Sequence, residues 1–384
     1  MLRRASAGLV CLAIGIYLSL CAARAVAPAL PNAAGYRIPS RSRHIWDYDG
    51  SHLLGPVDND VLLWDATTGR LLQRLVGHSE RIFSAHLQSG GKRALTSSWA
   101  PPGETEYLSK DTSVRLWDLA SGKQLLHLGS QVDGKFSPNG KSILAFSERS
   151  PAGPFDAAIW DASTGRRLVT ARLDPFASPE YDELSFSPGG REFLYFGATK
   201  LMLFDAANGR EIGQISRSPI DTFQFYGQEG RIATFGSGGI ETWDLRSRQP
   251  VRHISVEHPE YWSTSWRQDG RGVIGIYTYP SRLASWEVVS GKETDRPWSG
   301  KYLQNLIVSP DNQRFAVGSG GVNGLQGEVG LYDLKTCREI THFVGEALYG
   351  FSPDGKTLLL GGSQFVICNS ATGEAMRRFN LEDH

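Results

Sequence analysis

Histidines and carboxylates gather in one stretch, HISVEHPEY at residues 253–261, and such side chains can bind a metal ion. The candidate ligands are His253, Glu257, His258 and Glu260. Their spacing crosses an expected strand end and a loop, and it matches no standard metal-binding motif. We therefore expect a solvated loop and no metal site.

Other reactive groups are sparse in the sequence. It contains no Gly-x-Ser-x-Gly nucleophile turn, no His-Glu-x-x-His motif and no glycine-rich phosphate loop. Cys337 and Cys368 lie outside the N-terminal segment, without metal-ligand spacing, and whether they form a disulfide stays open. The sequence thus predicts no catalytic residue, no cofactor and no metal.

A Trp-Asp pattern followed by Thr-Gly recurs along the chain, as in VLLWDATTGR at residues 61–70 and AAIWDASTGR at residues 157–166. A recurring pattern is a structural unit before it is a site. The eight copies are Trp64-Asp65, Trp117-Asp118, Trp160-Asp161, Phe204-Asp205, Trp243-Asp244, Trp286-Glu287, Tyr332-Asp333 and Cys368-Asn369. Turns such as FSPDG at residues 351–355 alternate with them.

Each unit predicts four short strands: one on either side of the Ser-Pro-Asp-Gly-like turn, one ending at Trp-Asp and one after Thr-Gly. In the first unit, Asp65 is expected to accept backbone N–H bonds from the following turn, which Thr68 caps. Gly69 supplies the positive φ that closes the hairpin, and Trp64 packs its indole against neighbouring strands. The group is therefore a hairpin lock and not a reaction centre.

These repeats resemble the WD-repeat β-propeller family over residues 36–384. The fold class implied is all-β: a β-propeller of four-stranded antiparallel blades. Eight blades fit the repeat length of about 40 to 45 residues, and seven blades are the alternative. Residues 36–39 could pair with the last blade. Arg248 and Cys337 replace the turn glycine, which costs about 1 kcal/mol each if φ stays positive.

The resemblance also implies one buried polar network. The family's Asp-His-Ser-Trp set matches Asp111, His78, Ser97 or Ser98, and Trp117, and His78 would bridge the serine and the aspartate. His78 is the only histidine that follows a glycine, so the network is expected in one blade. Polar networks in a core are usually structural, and we assign this one no catalysis.

Long loops are expected on one face of the ring, and large aromatic residues are typical anchors of protein interfaces. We predict that this face binds a partner protein or peptide through Trp99, Tyr107, Phe155, Phe176, Tyr181, Tyr261, Trp262 and Tyr277. Packing of these rings onto the blade tops is the competing interpretation.

A non-enzymatic interaction scaffold is the predicted function, and a monomer is expected. One alternative is a cofactor- or metal-bearing propeller enzyme resembling quinoprotein dehydrogenases, which share the Asp-Ala-x-Thr-Gly motif. In those repeats the tryptophan follows the glycine, whereas here it precedes the aspartate. An envelope assembly factor is a further alternative.

Charge and the N-terminus bear on location. Forty basic and forty acidic residues balance, so the sequence predicts no nucleic-acid binding. Residues 1–25 have the layout of a signal peptide, with basic residues, an apolar run and small residues at a cleavage site. An uncleaved membrane anchor over residues 5–23 is the alternative, and residues 26–35 form a flexible spacer. We therefore expect export to the periplasm, cell envelope or exterior of a bacterium.

Overall fold

The computed structural model describes residues 46–98, 111–147, 155–173, 183–197, 200–215, 219–226, 230–256, 263–278, 281–298, 305–319, 327–361 and 364–380. The predicted signal peptide, membrane anchor and spacer lie outside these residues. None of the described residues forms a helix long and apolar enough to cross a bilayer. All the regular structure described is β-strand.

Thirty-two strands form eight antiparallel sheets of four, and each sheet takes its strands in chain order. Blade 1 contains β1 (Asp47–Tyr48), β2 (His52–Val57), β3 (Asp60–Asp65) and β4 (Leu71–Leu75). Blade 2 contains β5 (Ile82–Leu87), β6 (Arg93–Ser98), β7 (Ser113–Asp118) and β8 (Gln124–Gly129). Blade 3 contains β9 (Gln131–Phe136), β10 (Ser142–Ser147), β11 (Phe155–Asp161) and β12 (Arg167–Leu173). Blade 4 contains β13 (Glu183–Phe186), β14 (Glu192–Gly197), β15 (Lys200–Asp205) and β16 (Glu211–Gln214).

The second half repeats this arrangement. Blade 5 contains β17 (Ile220–Phe225), β18 (Arg231–Gly236), β19 (Gly239–Asp244) and β20 (Gln249–Ile254). Blade 6 contains β21 (Ser263–Trp266), β22 (Gly272–Thr278), β23 (Ser281–Glu287) and β24 (Glu293–Pro297). Blade 7 contains β25 (Asn305–Val308), β26 (Arg314–Ser319), β27 (Glu328–Asp333) and β28 (Glu339–Val344). Blade 8 contains β29 (Ala347–Phe351), β30 (Thr357–Gly361), β31 (Gln364–Asn369) and β32 (Ala375–Asn380). The prediction of eight four-stranded blades is confirmed.

Two faces follow from this strand order. The turns that join strand one to two and strand three to four lie on one side of the ring, here named the turn face. The connections from strand two to three, and from strand four to the next blade, lie on the other side, here named the loop face.

The Trp-Asp corner behaves as the sequence predicts. The Asp65 carboxylate accepts the backbone N–H groups of Thr67 and Thr68, both at 2.8 Å, and the Thr67 hydroxyl at 2.6 Å. These donors, that of the Thr67 hydroxyl foremost, hold the pKa of Asp65 well below its usual range. Gly69 closes the hairpin at φ +77°, and Trp64 is 1% exposed. The corner therefore ties β3 to β4 and buries a large apolar ring.

Packing between blades closes the ring. Tyr48 and Trp64 of blade 1 share a buried cluster with Leu359, Phe365 and Phe379 of blade 8. In the described part of the chain, blades 1 and 8 each supply their own four strands. The predicted pairing of residues 36–39 with the last blade falls outside that part. Apolar contact between side chains therefore joins the first and last blades.

Cys337 and Cys368 form no disulfide in the structure. Cys368 is fully buried in the core between blades 7 and 8, whereas Cys337 packs against the cluster of blades 6 and 7. Burial raises the pKa of the Cys368 thiol to about 11.

Two corners carry a side chain where the others have glycine, and both keep the positive φ: +59° at Arg248 and +56° at Cys337. We predict that Arg248→Gly stabilises the protein by about 1 kcal/mol, because only glycine adopts this conformation without strain. Urea denaturation monitored by tryptophan fluorescence measures the change.

The matched control is Gly209→Ala in blade 4. Gly209 has φ +74°, and an added Cβ would lie 2.5 Å from the Thr170 carbonyl oxygen. This variant is expected to lose stability. Equal stability of Arg248→Gly and wild type, with Gly209→Ala also unchanged, would contradict the strain argument.

Candidate functional site

A cleft of about 520 Å³ opens on the loop face between blades 1 and 2. We name it the Trp46 cleft, and its lining residues are Trp46, Pro56, Asp58, Asn59, Arg81 and Ile82. It brings together an aromatic ring, a guanidinium and a carboxylate. Aromatic and arginine side chains are the types that dominate the energetics of protein interfaces.

Trp46 forms the inner wall of the cleft. Its ring stacks on Trp64 at 5.7 Å between centroids and packs against Phe365 at 4.2 Å. A Cβ on Gly55 would overlap the Trp46 ring, lying 1.9 Å from Cε3. Glycine at position 55 is therefore what lets the indole lie flat across β2, partly buried, with the remainder facing the cleft.

The β2–β3 turn forms the rim on the blade 1 side. Asp58 adopts a positive φ of +55°, which places Asp58 and Asn59 at the tip as exposed residues. Asn59 donates from Nδ2 to the Ser79 carbonyl oxygen at 3.2 Å. The turn is thereby joined to the connection that leads into blade 2.

A buried polar relay lies beneath that connection. Trp117 donates from Nε1 to Thr96 Oγ1 at 2.7 Å, and Thr96 Oγ1 lies 2.8 Å from His78 Nε2. His78 Nδ1 lies 3.0 Å from Asp111 Oδ2. Burial lowers the pKa of His78, so the ring is neutral and carries its proton on Nδ1 toward Asp111. Every donor in this relay of hydrogen bonds meets an acceptor.

Asp111 supplies the negative end of the relay. Burial alone would raise its pKa, but hydrogen bonds from His78, Ser113 and the Ser79 backbone outweigh burial and lower it. Arg115 Nη2 adds an ion pair at 3.1 Å. The carboxylate therefore remains ionised as a fixed acceptor.

The serine expected in this relay is wrong, and Thr96 takes its place. Side chains alternate along β6, so Thr96 lies on the same face as Ala94, which pairs with Trp117 across the sheet. Ser97 faces the other way and contacts Ser84 and Asp133. Ser98, the alternative, donates to the Arg81 carbonyl oxygen at 3.1 Å.

These contacts position the connection at residues 76–81. The Ser79 N–H donates to Asp111 Oδ2 at 3.0 Å, Asn59 binds the Ser79 carbonyl, and Ser98 binds the Arg81 carbonyl. The Arg81 backbone is thus held, while its side chain is exposed. Within the described residues, neither Arg81 nor Asp58 has an ion-pair partner.

Of the eight predicted partner-binding residues, six lie outside the residues that the structure describes. These six are Trp99, Tyr107, Phe176, Tyr181, Tyr261 and Trp262. Phe155 begins β11 and Tyr277 lies one residue before the end of β22, so both backbone positions are at the loop face. The sequence prediction missed the Trp46 cleft. The only features of the sequence that could have indicated this cleft are a Trp before the first strand and an Arg before the fifth.

Metal binding finds no support among the described residues, which include no group of three or more His, Cys, Asp or Glu suited to an ion. His253 Nε2 lies 2.7 Å from the Gly238 carbonyl oxygen. Glu257, His258 and Glu260 lie outside the described chain.

No protein-family model matches the sequence. Among solved structures, it is similar to the C-terminal WD40 domain of Sif2, with TM-score 0.53 and 15% identity, over 74% of this chain and 79% of that one. It is also similar to a eukaryotic initiation factor, with TM-score 0.56 and 15% identity, over 88% and 90%. The sequence repeats, the Trp-Asp corners and these structural neighbours all indicate the same fold. The chain is a WD-repeat β-propeller in fold.

The curated relatives of the chain are distant. The Dictyostelium discoideum serine-threonine kinase receptor-associated protein is 18% identical, over 71% of this chain and 88% of that protein. The Schizosaccharomyces pombe periodic tryptophan protein 2 homolog is 26% identical, over 43% and 20%. Arabidopsis thaliana THO complex subunit 6 is 24% identical, over 50% and 48%. The chain spans less than half the length of the last two relatives.

The predicted export to a bacterial envelope is wrong. The curated relatives are proteins of eukaryotes, from Schizosaccharomyces pombe, Arabidopsis thaliana and Dictyostelium discoideum, and not exported bacterial proteins. That prediction rested on an apolar N-terminal run preceded by arginines and followed by small residues, and such a segment has the same composition whatever its role.

Substitution of Thr96 tests how much the relay contributes to stability. We predict that Thr96→Val lowers the free energy of unfolding by about 1–3 kcal/mol, because it leaves His78 Nε2 and Trp117 Nε1 buried without partners. Thr96→Ser is the matched control, since it keeps the hydroxyl and loses one methyl. Urea denaturation compares the two. A valine variant as stable as the serine variant would contradict the relay.

The pH dependence of stability gives a second test through His78→Gln. Because burial lowers the folded pKa of His78, wild type loses stability as pH falls below about 6.5, where the unfolded histidine binds a proton first. The glutamine variant lacks this loss. The difference in free energy of unfolding is therefore expected to be largest above pH 6.5 and to shrink at lower pH. A constant difference between pH 5 and 8 would argue against a neutral His78.

Proposed function

We propose that this protein is a non-enzymatic interaction scaffold whose loop face binds a partner protein or peptide, with the Trp46 cleft as the rigid anchor point. The observation that carries the proposal is the Arg81 side chain. It is exposed and without an ion-pair partner within the described chain, while Ser98 holds its carbonyl oxygen and the buried relay holds the Ser79 N–H two residues earlier. Because the backbone is already held, binding has less of the chain to order at this position.

The relatives support a protein partner. One is named as associated with a serine-threonine kinase receptor and another as a subunit of the THO complex, so both names refer to assembly with other proteins. Trp99 and Tyr107 lie in the sequence between β6 and β7, a connection on the loop face, and the proposal includes them among the binding residues. We take the monomeric ring as the binding unit.

The enzyme alternative has less to support it. Trp64, Trp117 and Trp286 are at most 2% exposed, so these rings are core residues rather than the lining of a wet pocket. The corner carboxylates are occupied by turn N–H and hydroxyl donors. An interaction role therefore accounts for the described residues more simply.

Charge reversal at the cleft tests the proposal. We predict that Arg81→Glu reduces capture of the partner by at least tenfold. An arginine anchor that becomes buried in the complex typically contributes about 2 kcal/mol or more to binding. Purified variants immobilised at equal density capture partners from an extract of the source organism, and quantitative mass spectrometry compares the retained proteins.

The matched control is Arg70→Glu, an exposed arginine of blade 1 on the turn face. It should retain the wild-type set. The double variant Trp99→Ala with Tyr107→Ala probes the outer loops. If Arg81→Glu and this double variant both capture what wild type captures, the loop face is not the binding surface.

A further inference from the structure

Two opposite charges line the Trp46 cleft without pairing. Asp58 lies on the blade 1 rim and Arg81 on the blade 2 rim, and both residues are exposed. Neither forms an ion pair with the other, or with any further residue in the described part of the chain. One unpaired carboxylate and one unpaired guanidinium therefore border the same cavity.

The backbone beneath these two charges keeps them apart. Asp58 adopts the left-handed conformation at φ +55°, which gives the tip of the β2–β3 turn one defined shape. Asn59 Nδ2 donates to the Ser79 carbonyl oxygen at 3.2 Å and so joins the blade 1 rim to the connection that carries Arg81. Ser98 donates to the Arg81 carbonyl oxygen at 3.1 Å. These bonds oppose closure of the cleft onto an Asp58–Arg81 pair and leave both charges available to a ligand.

Neighbouring charged groups do not neutralise the two rims. Asp60, two residues after Asp58, is already paired with Arg74 at 2.7 Å. Glu80 precedes Arg81 in the sequence, but it does not line the cleft, and it forms no ion pair among the described residues. The lining of the cleft is therefore dipolar, with its negative charge on blade 1 and its positive charge on blade 2.

The surface between the two charges is largely apolar. Trp46 and Pro56 are partly buried, and Ile82 is 1% exposed. Long charged side chains pack their aliphatic stems on such a surface and keep their charged ends at its edge. Apolar walls also strengthen the field of the charges at the mouth of a cleft. The lining therefore favours long charged side chains over short polar ones.

This arrangement selects against a ligand that carries charges of one sign. Two acidic residues would pair with Arg81 but bring a carboxylate toward Asp58, and two basic residues would bring a cation toward Arg81. Placing like charges together costs more than one exposed ion pair contributes. A ligand with one basic and one acidic side chain gains at both rims. Successive side chains of an extended peptide point to opposite sides, so two adjacent residues can reach the two rims.

We propose that the Trp46 cleft binds an extended segment of a partner protein in which a lysine and a glutamate are adjacent. The lysine ammonium pairs with Asp58 and the glutamate carboxylate pairs with Arg81. Both aliphatic stems pack on Trp46 and Ile82. This assignment rests on the proposed function of the loop face and names the chemistry of its anchor point.

Fluorescence anisotropy with labelled peptides and the full chain tests the assignment. The probe is Gly-Leu-Lys-Glu-Leu-Gly with blocked termini, and three control peptides carry Glu-Glu, Lys-Lys or Gln-Gln in place of Lys-Glu. At low ionic strength the probe is expected to bind at least about fivefold more tightly than each control, and added salt should remove that advantage. Equal binding of the four peptides, tightest binding of a control, or no binding at millimolar concentration would overturn the proposal.

Neutral variants of the two rims should change the preference in opposite directions. Asp58→Asn keeps the left-handed turn, which asparagine also adopts, and removes the negative charge. This variant is expected to bind the probe more weakly than wild type and the Glu-Glu peptide more tightly. Arg81→Gln is expected to weaken binding of the probe and to strengthen binding of the Lys-Lys peptide. Misfolding does not increase affinity, so variants that keep the wild-type order of the four peptides would refute the assigned pairing.

The matched control for these variants is Arg70→Glu on the turn face, which should leave all four affinities at their wild-type values. Capture from the extract that depends on Arg81, together with equal binding of the four peptides, refutes the lysine–glutamate pair and leaves the loop-face function standing. Capture that is insensitive to Arg81→Glu, together with selective binding of the probe, refutes the loop-face function and leaves the chemistry of the cleft standing.

Discussion

The rest of the structure depends on the corner carboxylate that accepts the N–H groups of its own turn. One side chain converts the sharp reversal between the third and fourth strands into a satisfied hydrogen-bond cluster. The aromatic residue before it then has a fixed direction, into the space between blades. Trp64 shows the consequence, because it is held by the Asp65 corner and packs in the cluster that joins blade 1 to blade 8. The same corner therefore both stabilises the turn and orients the ring that packs blade 1 against blade 8.

The inner strands show how a propeller tolerates polar groups near its axis. Asp47 is 1% exposed and accepts the Leu87 N–H at 2.7 Å, which fixes the two-residue β1 to blade 2. Burial raises its pKa to about 7. Asp133 differs: burial opposes its charge, but Lys135, His86 and Ser84 lower its pKa. The buried Asp47 and the partly buried Asp133 thus differ because Asp133 has cationic and hydroxyl partners in contact.

The sequence was sufficient for the fold because each blade repeats its corner, and eight copies in phase leave little freedom. It also located Gly69, Arg248 and Cys337 at positive φ. The relay was only partly predictable, since Thr96 and Ser97 are adjacent and a shift of one residue reverses the face of the strand. The Trp46 cleft could not be predicted because its lining comes from the residue before β1, from β2, from the β2–β3 turn and from the start of β5, which meet only when blades 1 and 2 pack together. Location was mispredicted because composition at the N-terminus does not record where a chain acts.

Repetition explains where binding features arise in such a ring. Corner acids and their glycines are required in nearly every blade, so their substitution strains the backbone. Fourth-strand positions such as 73, 169 and 377 only touch the following corner, and their identity can vary without breaking a blade. Gln73 and Arg377 donate to a carbonyl of the following corner, whereas Val169 has no donor to do so. The same reasoning applies on the loop face, where Gly55 admits the Trp46 ring, and where the blade 2 relay and Ser98 hold the connection that carries Arg81. Departures from the repeat, rather than the repeat itself, therefore give the two faces their chemical character.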